Sequence, residues 1–308
     1  MGAGHSHDHS HAGGRAEDRR RLVLVLAVTS TVVVVEALGA WWSGSLALLA
    51  DAGHMLTDAA GILIALSASL IATRPASPRR TFGYHRVEIL AAVINALVLL
   101  GVCSYLAVAG TRRLLDPADV DAGQMLVFAA IGLAANVVSV VILTRRKDSS
   151  LNMKGAYLEV LSDTFGSVAA IVAGVLVATT GFLRADSIAS LVIAALVLPR
   201  AWALLREAGG ILLESAPRDL DVEEVRRHLC AMDGVVDVHD LHAWTITSGM
   251  PALSAHITVT DEALAERGVG QVLDDLTGCV EAHFGIDHAT FQVEPASHRD
   301  HEHDTEHA

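Results

Sequence analysis

Charge is scarce in this chain. Of its 308 residues only 19% are charged and 52% are hydrophobic, and the mean hydropathy is +0.44. A soluble domain carries about a quarter charged residues, so an ordinary soluble globule is excluded, and so is a disordered chain. There is no basic surplus, which excludes a nucleic-acid partner. Cysteine is nearly absent as well: Cys103, Cys230 and Cys279 never form a CxxC spacing. That excludes a thiolate metal cluster and points to a reducing surrounding for the aqueous part. No HExxH motif and no secretory signal can be read: the first 18 residues are polar and His-rich, and the first apolar run is too long for a signal peptide. Lys is rare beside Arg, a composition that hints at a GC-rich bacterial genome.

The charge that is present is unevenly placed. Residues 1–206 hold 17 Lys and Arg against 14 Asp and Glu, whereas residues 207–308 hold 5 against 21. An apolar, slightly basic front part is therefore joined to an acidic back part, as expected for a membrane domain followed by an aqueous one.

Six apolar segments fill the front part, at roughly 22–42, 45–73, 87–111, 122–144, 156–183 and 185–206. Each is long enough for the ~20 helical residues that cross a bilayer. Twelve basic residues lie at the N-terminus and in the loops after the second and fourth segments, against Arg112, Arg113 and Arg184 on the other side. By the positive-inside rule both termini face the cytoplasm. The expected division is a disordered His-rich tail (1–20), a six-span domain (21–206), a cytoplasmic domain (207–295) and a His-rich acidic tail (296–308).

Ionisable groups inside such segments cost about 2.5–3.5 kcal/mol each on insertion scales, so each needs a reason. The second segment holds Asp51, His54 and Asp58, and the fifth holds Glu159 and Asp163. His54 and Asp58 stand four apart, as do Glu159 and Asp163, so each pair lies on one helix face. One imidazole and three carboxylates on two facing helices can close a tetrahedron around a divalent ion such as zinc, which takes these ligands at about 2.0–2.2 Å. Such a site holds either a metal or protons, because empty buried carboxylates must be neutralised. Alternation between the two states is the physical basis of metal–proton exchange, with His54 as the natural proton carrier. Asp51, one turn outward, is a candidate exit-side ligand, and Glu36 a candidate polar contact in the first span. A membrane-embedded enzyme using the same cluster to activate water is the alternative.

After Pro217 the pattern becomes that of a small α+β domain of ferredoxin-like order: a helix at 221–232 with Asp221 as N-cap, strands at 235–247 and 252–260, a helix at 269–284 and a strand at 288–294. With a four-residue turn, His242 and His256 fall nearly opposite each other, and strict alternation puts His239 on the other face. Eight of the sixteen histidines sit at the ends, at His5, His7, His9 and His11 and at His298, His301, His303 and His307. Such tails are weak metal chelators.

The run Ser45–Asp58 (SLALLADAGHMLTD) resembles the second-span signature of the cation diffusion facilitators. Thr81–Leu90 (TFGYHRVEIL) with Asn95, Gly155–Asp163 (GAYLEVLSD) and Val238–Thr245 (VHDLHAWT) are similar to their third-span entry, fifth span and cytoplasmic domain. The resemblance covers about residues 20–295. It implies a homodimeric exporter of Zn²⁺ and related divalent ions (Cd²⁺, Co²⁺, Mn²⁺ or Fe²⁺) in the bacterial inner membrane. Protons are its counter-ions, lipid its surround, and no cofactor is needed. It maps the transport site to His54, Asp58, Glu159 and Asp163. It also implies a cytoplasmic regulatory site drawn from His239, His242, His256 and Glu294, with Gln292 nearby, and a charge pair between Arg86 and Glu214. No metal site is expected in the loop between the second and third spans. Zinc exporters usually carry His where this chain has Glu159, and a third carboxylate makes the site harder.

Overall fold

The computed structural model describes residues 9–72, 74–144, 151–247 and 249–301. His5, His7, His303 and His307, like Arg145, Arg146 and Lys147, lie outside the described residues. Two compact units emerge, one from residues up to Leu66 and Ile94–Leu205, the other from Ser67–Val93 and Arg206 onward.

The first unit is built on six long helices: α1 (His9–Ser43), α2 (Leu46–Ala72), α3 (Arg86–Leu115), α4 (Ala122–Thr144), α5 (Leu151–Thr180) and α6 (Arg184–Leu212). By length and apolarity α1 and α3–α6 can each cross a membrane. The 27 residues of α2 are also long enough, and this helix carries the polar run Asp51, His54 and Asp58. Large apolar side chains face outward, Trp41 at 85% and Leu196 at 66% exposed, where a water-soluble bundle would bury them. The helix seams are lined by small residues: Ala40, Ala47, Ala129, Ala170 and Ala173 form one buried cluster with Leu48 and Met125. Without a hydrophobic drive between helices in lipid, such close backbone approach is what holds a bundle together. Leu46 and Ala50 pack instead against α3 and α6 through Leu99, Cys103, Ile193 and Ala194. Thus α2 is clasped on both sides.

The helices differ from expectation at their ends. Residues 9–20, expected to be a disordered tail, already belong to α1; Ala, Arg and Glu there favour helix and extend the span downward. Helix α5 begins at Leu151 instead of near residue 156.

The second unit contains α7 (Val222–Cys230), β1 (Val235–Thr247), β2 (Met250–Val259), α8 (Asp261–Phe284), β3 (His288–Pro295) and a 3₁₀ turn at Ala296–His301. The strands form one sheet in the order β1-β2-β3, antiparallel then parallel. Val225 and Leu229 of α7 and Val272, Leu276 and Val280 of α8 close its core against Leu253 and Ile257. Asp221 caps α7, accepting from the amides of Glu223 and Glu224. Helix α8 starts eight residues earlier than expected: Thr260 caps it, and it runs through a kink at Gly268, whose φ is 75°. That glycine reads as a boundary in sequence and is a kink in structure.

Candidate metal centres

The first centre lies between α2 and α5. His54 Nδ1 stands 3.4 Å from Asp58 Oδ2, one helical turn along α2, and His54 Nε2 stands 3.6 Å from Asp163 Oδ1 on α5. Ligand atoms of these three residues all lie within 4.8 Å of one another. His54 and Asp163 are buried, 6% and 3% exposed. His54 Nδ1, Asp58 Oδ2 and Asp163 Oδ1 are buried without a hydrogen bond among the described residues. Buried polar atoms left unbonded are costly, and a cation placed among these three would satisfy all of them at once.

Glu159 falls outside this compact group, although the i, i+4 spacing puts it on the same face of α5, and its carboxyl meets that of Asp58. Its Oε1 lies 3.3 Å from Nη2 of Arg200 on α6, and Nη1 of the same guanidinium lies 3.8 Å from Asp58 Oδ2. Of the four expected ligands, three are gathered and the fourth is held at their edge by an arginine.

Two polar contacts set the register of the ligand helices. Asp51, expected as an exit-side ligand, is 1% exposed, and its Oδ2 accepts a hydrogen bond from Ser167 Oγ at 3.0 Å. Ser167 in turn accepts from Asn136 Nδ2 at 3.2 Å. Asp51 is one turn before His54, and Ser167 one turn after Asp163. The bond therefore fixes α2 against α5 beside the candidate ligands. Glu36 is fully buried beside Asp51. Both carboxylates press on helix backbone: a Cβ at Gly132 would lie 2.0 Å from Glu36 Oε1, and one at Gly166 would lie 2.4 Å from Asp51 Oδ1.

The second centre is on the sheet. His239 pairs with His256 across β1 and β2, whereas His242 pairs with Ser254. This corrects the expectation that His242 faces His256. A register shift falls between His239 and His242, where Asp240 adopts a left-handed φ of 48°. Such a bulge breaks the period-two alternation. His239, His256 and Glu294 form the compact group. His256 Nδ1 lies 3.0 Å and His239 Nε2 3.5 Å from the Glu294 carboxylate. Asp240 links this group to its neighbour, with His242 Nε2 at 3.0 Å and His256 Nε2 at 3.8 Å. Gln292, in register with His256, donates to Glu294 Oε1 at 2.7 Å.

Arg86 Nη2 and Glu214 Oε1 form a 2.8 Å ion pair. Beside it Thr247 donates to Glu88 Oε2 at 3.1 Å.

Two family models match in chain order, the cation efflux transmembrane domain over residues 22–213 and the cation efflux protein cytoplasmic domain over residues 217–296. The chain belongs to the cation efflux family. It is 44% identical over 268 residues to the metal cation efflux system protein CzcD of Cupriavidus metallidurans, a match spanning 87% of this chain and 84% of that protein. It is 39% identical over 268 residues to the cadmium, cobalt and zinc/H(+)-K(+) antiporter of Bacillus subtilis, with 86% of each chain covered. The zinc transporter ZitB of Escherichia coli is 38% identical over 268 residues, with 86% and 84% covered.

This cation efflux protein is a membrane transporter and not an enzyme, so the alternative of metal-activated water falls away. Sequence reading missed two participants in the candidate centres. Arg200 is a charge inside an apolar span, a signal that was available. Asp240 acts through a bulge, and no local pattern announces it.

Proposed function

We propose that the protein exports Zn²⁺ from the cytosol, with Cd²⁺ and Co²⁺ as further cargo, in exchange for protons. The observation that carries this reading is the buried group His54, Asp58 and Asp163, whose ligand atoms all lie within 4.8 Å of one another. One imidazole and two carboxylates suit a borderline ion such as Zn²⁺. Glu159 is the fourth, peripheral member and reaches the ion as cargo enters or leaves. The metals in the names of the relatives, zinc, cadmium and cobalt, agree with this donor set.

Exchange follows from electrostatics. Buried carboxylates deprived of metal need another positive charge, and protons supply it from the opposite side. Both termini lie in the cytoplasm of a bacterium, the spans cross its inner membrane in contact with lipid, and two copies associate through the cytoplasmic domain. His239, His256 and Glu294 hold a regulatory metal there, with His242 and Gln292 at its margin. The His-rich tails collect metal nearby. The membrane domain runs from α1, which reaches down to His9, to the end of α6 at Leu212, and the cytoplasmic domain follows it.

Transport of Zn²⁺ into proteoliposomes against an imposed pH gradient tests the reading. Asp163→Ala is expected to abolish it; normal transport by that variant would show that the ion is held elsewhere.

A further inference from the structure

Among the described residues, Arg200 is the basic side chain that reaches the carboxylates of the first centre. It follows Pro199 within α6, and its guanidinium spans two helices, with Nη2 at 3.3 Å from Glu159 Oε1 on α5 and Nη1 at 3.8 Å from Asp58 Oδ2 on α2. The side chain is about half exposed, at 53%, while those of Glu159 and Asp58 are 26% and 12% exposed. An arginine keeps its charge at any working pH, and its planar fork suits two carboxylates at once.

The charge balance gives this contact a consequence. Asp58, Glu159 and Asp163 bring three negative charges, and the guanidinium removes one. A divalent ion then leaves the cluster neutral. Without Arg200 the same ion would sit in a cluster with one buried negative charge in excess, would be held harder, and would leave more slowly. A third free carboxylate would also move preference toward harder ions.

We propose that Arg200 is a specificity-determining residue of the transporter. It holds Glu159 as an ion-paired edge group, so that His54, Asp58 and Asp163 present two negative charges to the cargo. This inference rests on the reading of those three residues as the transport site. The Glu159–Arg200 pair then does electrostatically what a neutral side chain would do at position 159, and the two residues form one unit.

The test is Zn²⁺ transport by the full chain in proteoliposomes, with Mn²⁺ and Cd²⁺ as competitors, for Arg200→Gln, Arg200→Lys, Glu159→His and the double variant Glu159→His/Arg200→Gln. Each variant is first checked for folding by its elution as a single species in detergent. Arg200→Gln is expected to lower KM for Zn²⁺ by about tenfold, the scale set by losing one full charge ~4 Å from the cluster. It should lower kcat with it and turn Mn²⁺ into an effective competitor. Arg200→Lys keeps the charge and should keep the metal order. The double variant should return both constants and the metal order toward the parent.

The proposal is overturned by either of two results. One is that Arg200→Gln leaves KM, kcat and metal order within about twofold of the parent. The other is that it lowers kcat at constant KM without rescue by Glu159→His, as an arginine that only ties helices together would. Asp163→Ala in the same vesicles separates the two levels of the argument. If that variant transports normally, the transport-site reading fails; if it is dead while Arg200→Gln is unchanged, only the role of Arg200 fails.

Discussion

Asp186 Oδ2 accepts a hydrogen bond from the Leu46 amide at 2.7 Å. Oδ1 accepts from the Ala47 amide at 3.0 Å and from Ser45 Oγ at 2.6 Å, and Arg113 Nη1 lies 3.8 Å from Oδ2. A carboxylate on α6 thus satisfies the open amides of α2 and meets the positive end of its dipole. Because α2 carries His54 and Asp58, this contact sets the position of that candidate ligand pair. Asp186→Ala leaves several buried donors unbonded, and the expected cost is about 2–4 kcal/mol. Thermal melting of the purified protein in detergent checks it. A variant as stable as the parent would show that the amides of α2 find other partners.

Gly166 permits the contact between α5 and Asp51, since a Cβ there would lie 2.4 Å from Asp51 Oδ1. Gly166→Ala should destabilise by about 1–3 kcal/mol through overpacking. It should also slow transport, because the displaced Asp51 loses the Ser167 bond that registers α2 against α5. Asp51→Ala removes the obstructing oxygen. In a double-mutant cycle the two changes should therefore cost less together than the sum of each alone. Additive costs would place the effect of Gly166 elsewhere.

These contacts show which parts of the molecule can be read from its sequence. The pairs His54–Asp58 and Glu159–Asp163 are legible because a helix repeats every 3.6 residues, so four-residue spacing alone puts them on one face. The six helices are legible for the same reason, since length and apolarity are local properties. Asp186 reads only as a polar break between two spans, because its partners lie about 140 residues away. Arg200 and Glu159 are separated by 41 residues, and no spacing rule connects them. The face of β1 is misread because the alternation fails at Asp240, whose left-handed backbone is a property of the folded strand.

The shifted strand register has a direct consequence for metal binding. His239, not His242, stands across from His256 and closes on Glu294. His239→Ala and His256→Ala should each remove about one equivalent of Zn²⁺ per chain, counted by equilibrium dialysis of the full-length protein, since losing one of three ligands opens the site. His242→Ala, on the far side of the bulge, should keep that equivalent with affinity changed by less than about tenfold, as for an outer-shell partner. Equal losses for His239→Ala and His242→Ala would mean that the bulge does not separate the two histidines in solution.

Glu214 closes α6 in a strained way. Its φ is 58°, where a residue with a Cβ pays roughly 1–2 kcal/mol, and its amide bonds to Ile211 O at 3.2 Å. The same residue forms the 2.8 Å ion pair with Arg86, whose partners are 42% and 59% exposed at the side chain. Exposed pairs contribute about 0–1 kcal/mol, so the pair offsets part of the strain and little more. Glu214→Gly removes both terms, and its melting point should stay close to that of the parent. Glu214→Ala keeps most of the strain and loses the pair, so it should melt below Glu214→Gly. If the order of the two variants is reversed, the conformation at residue 214 is not held against its own preference, and the ion pair carries more of the local stability than its exposure allows.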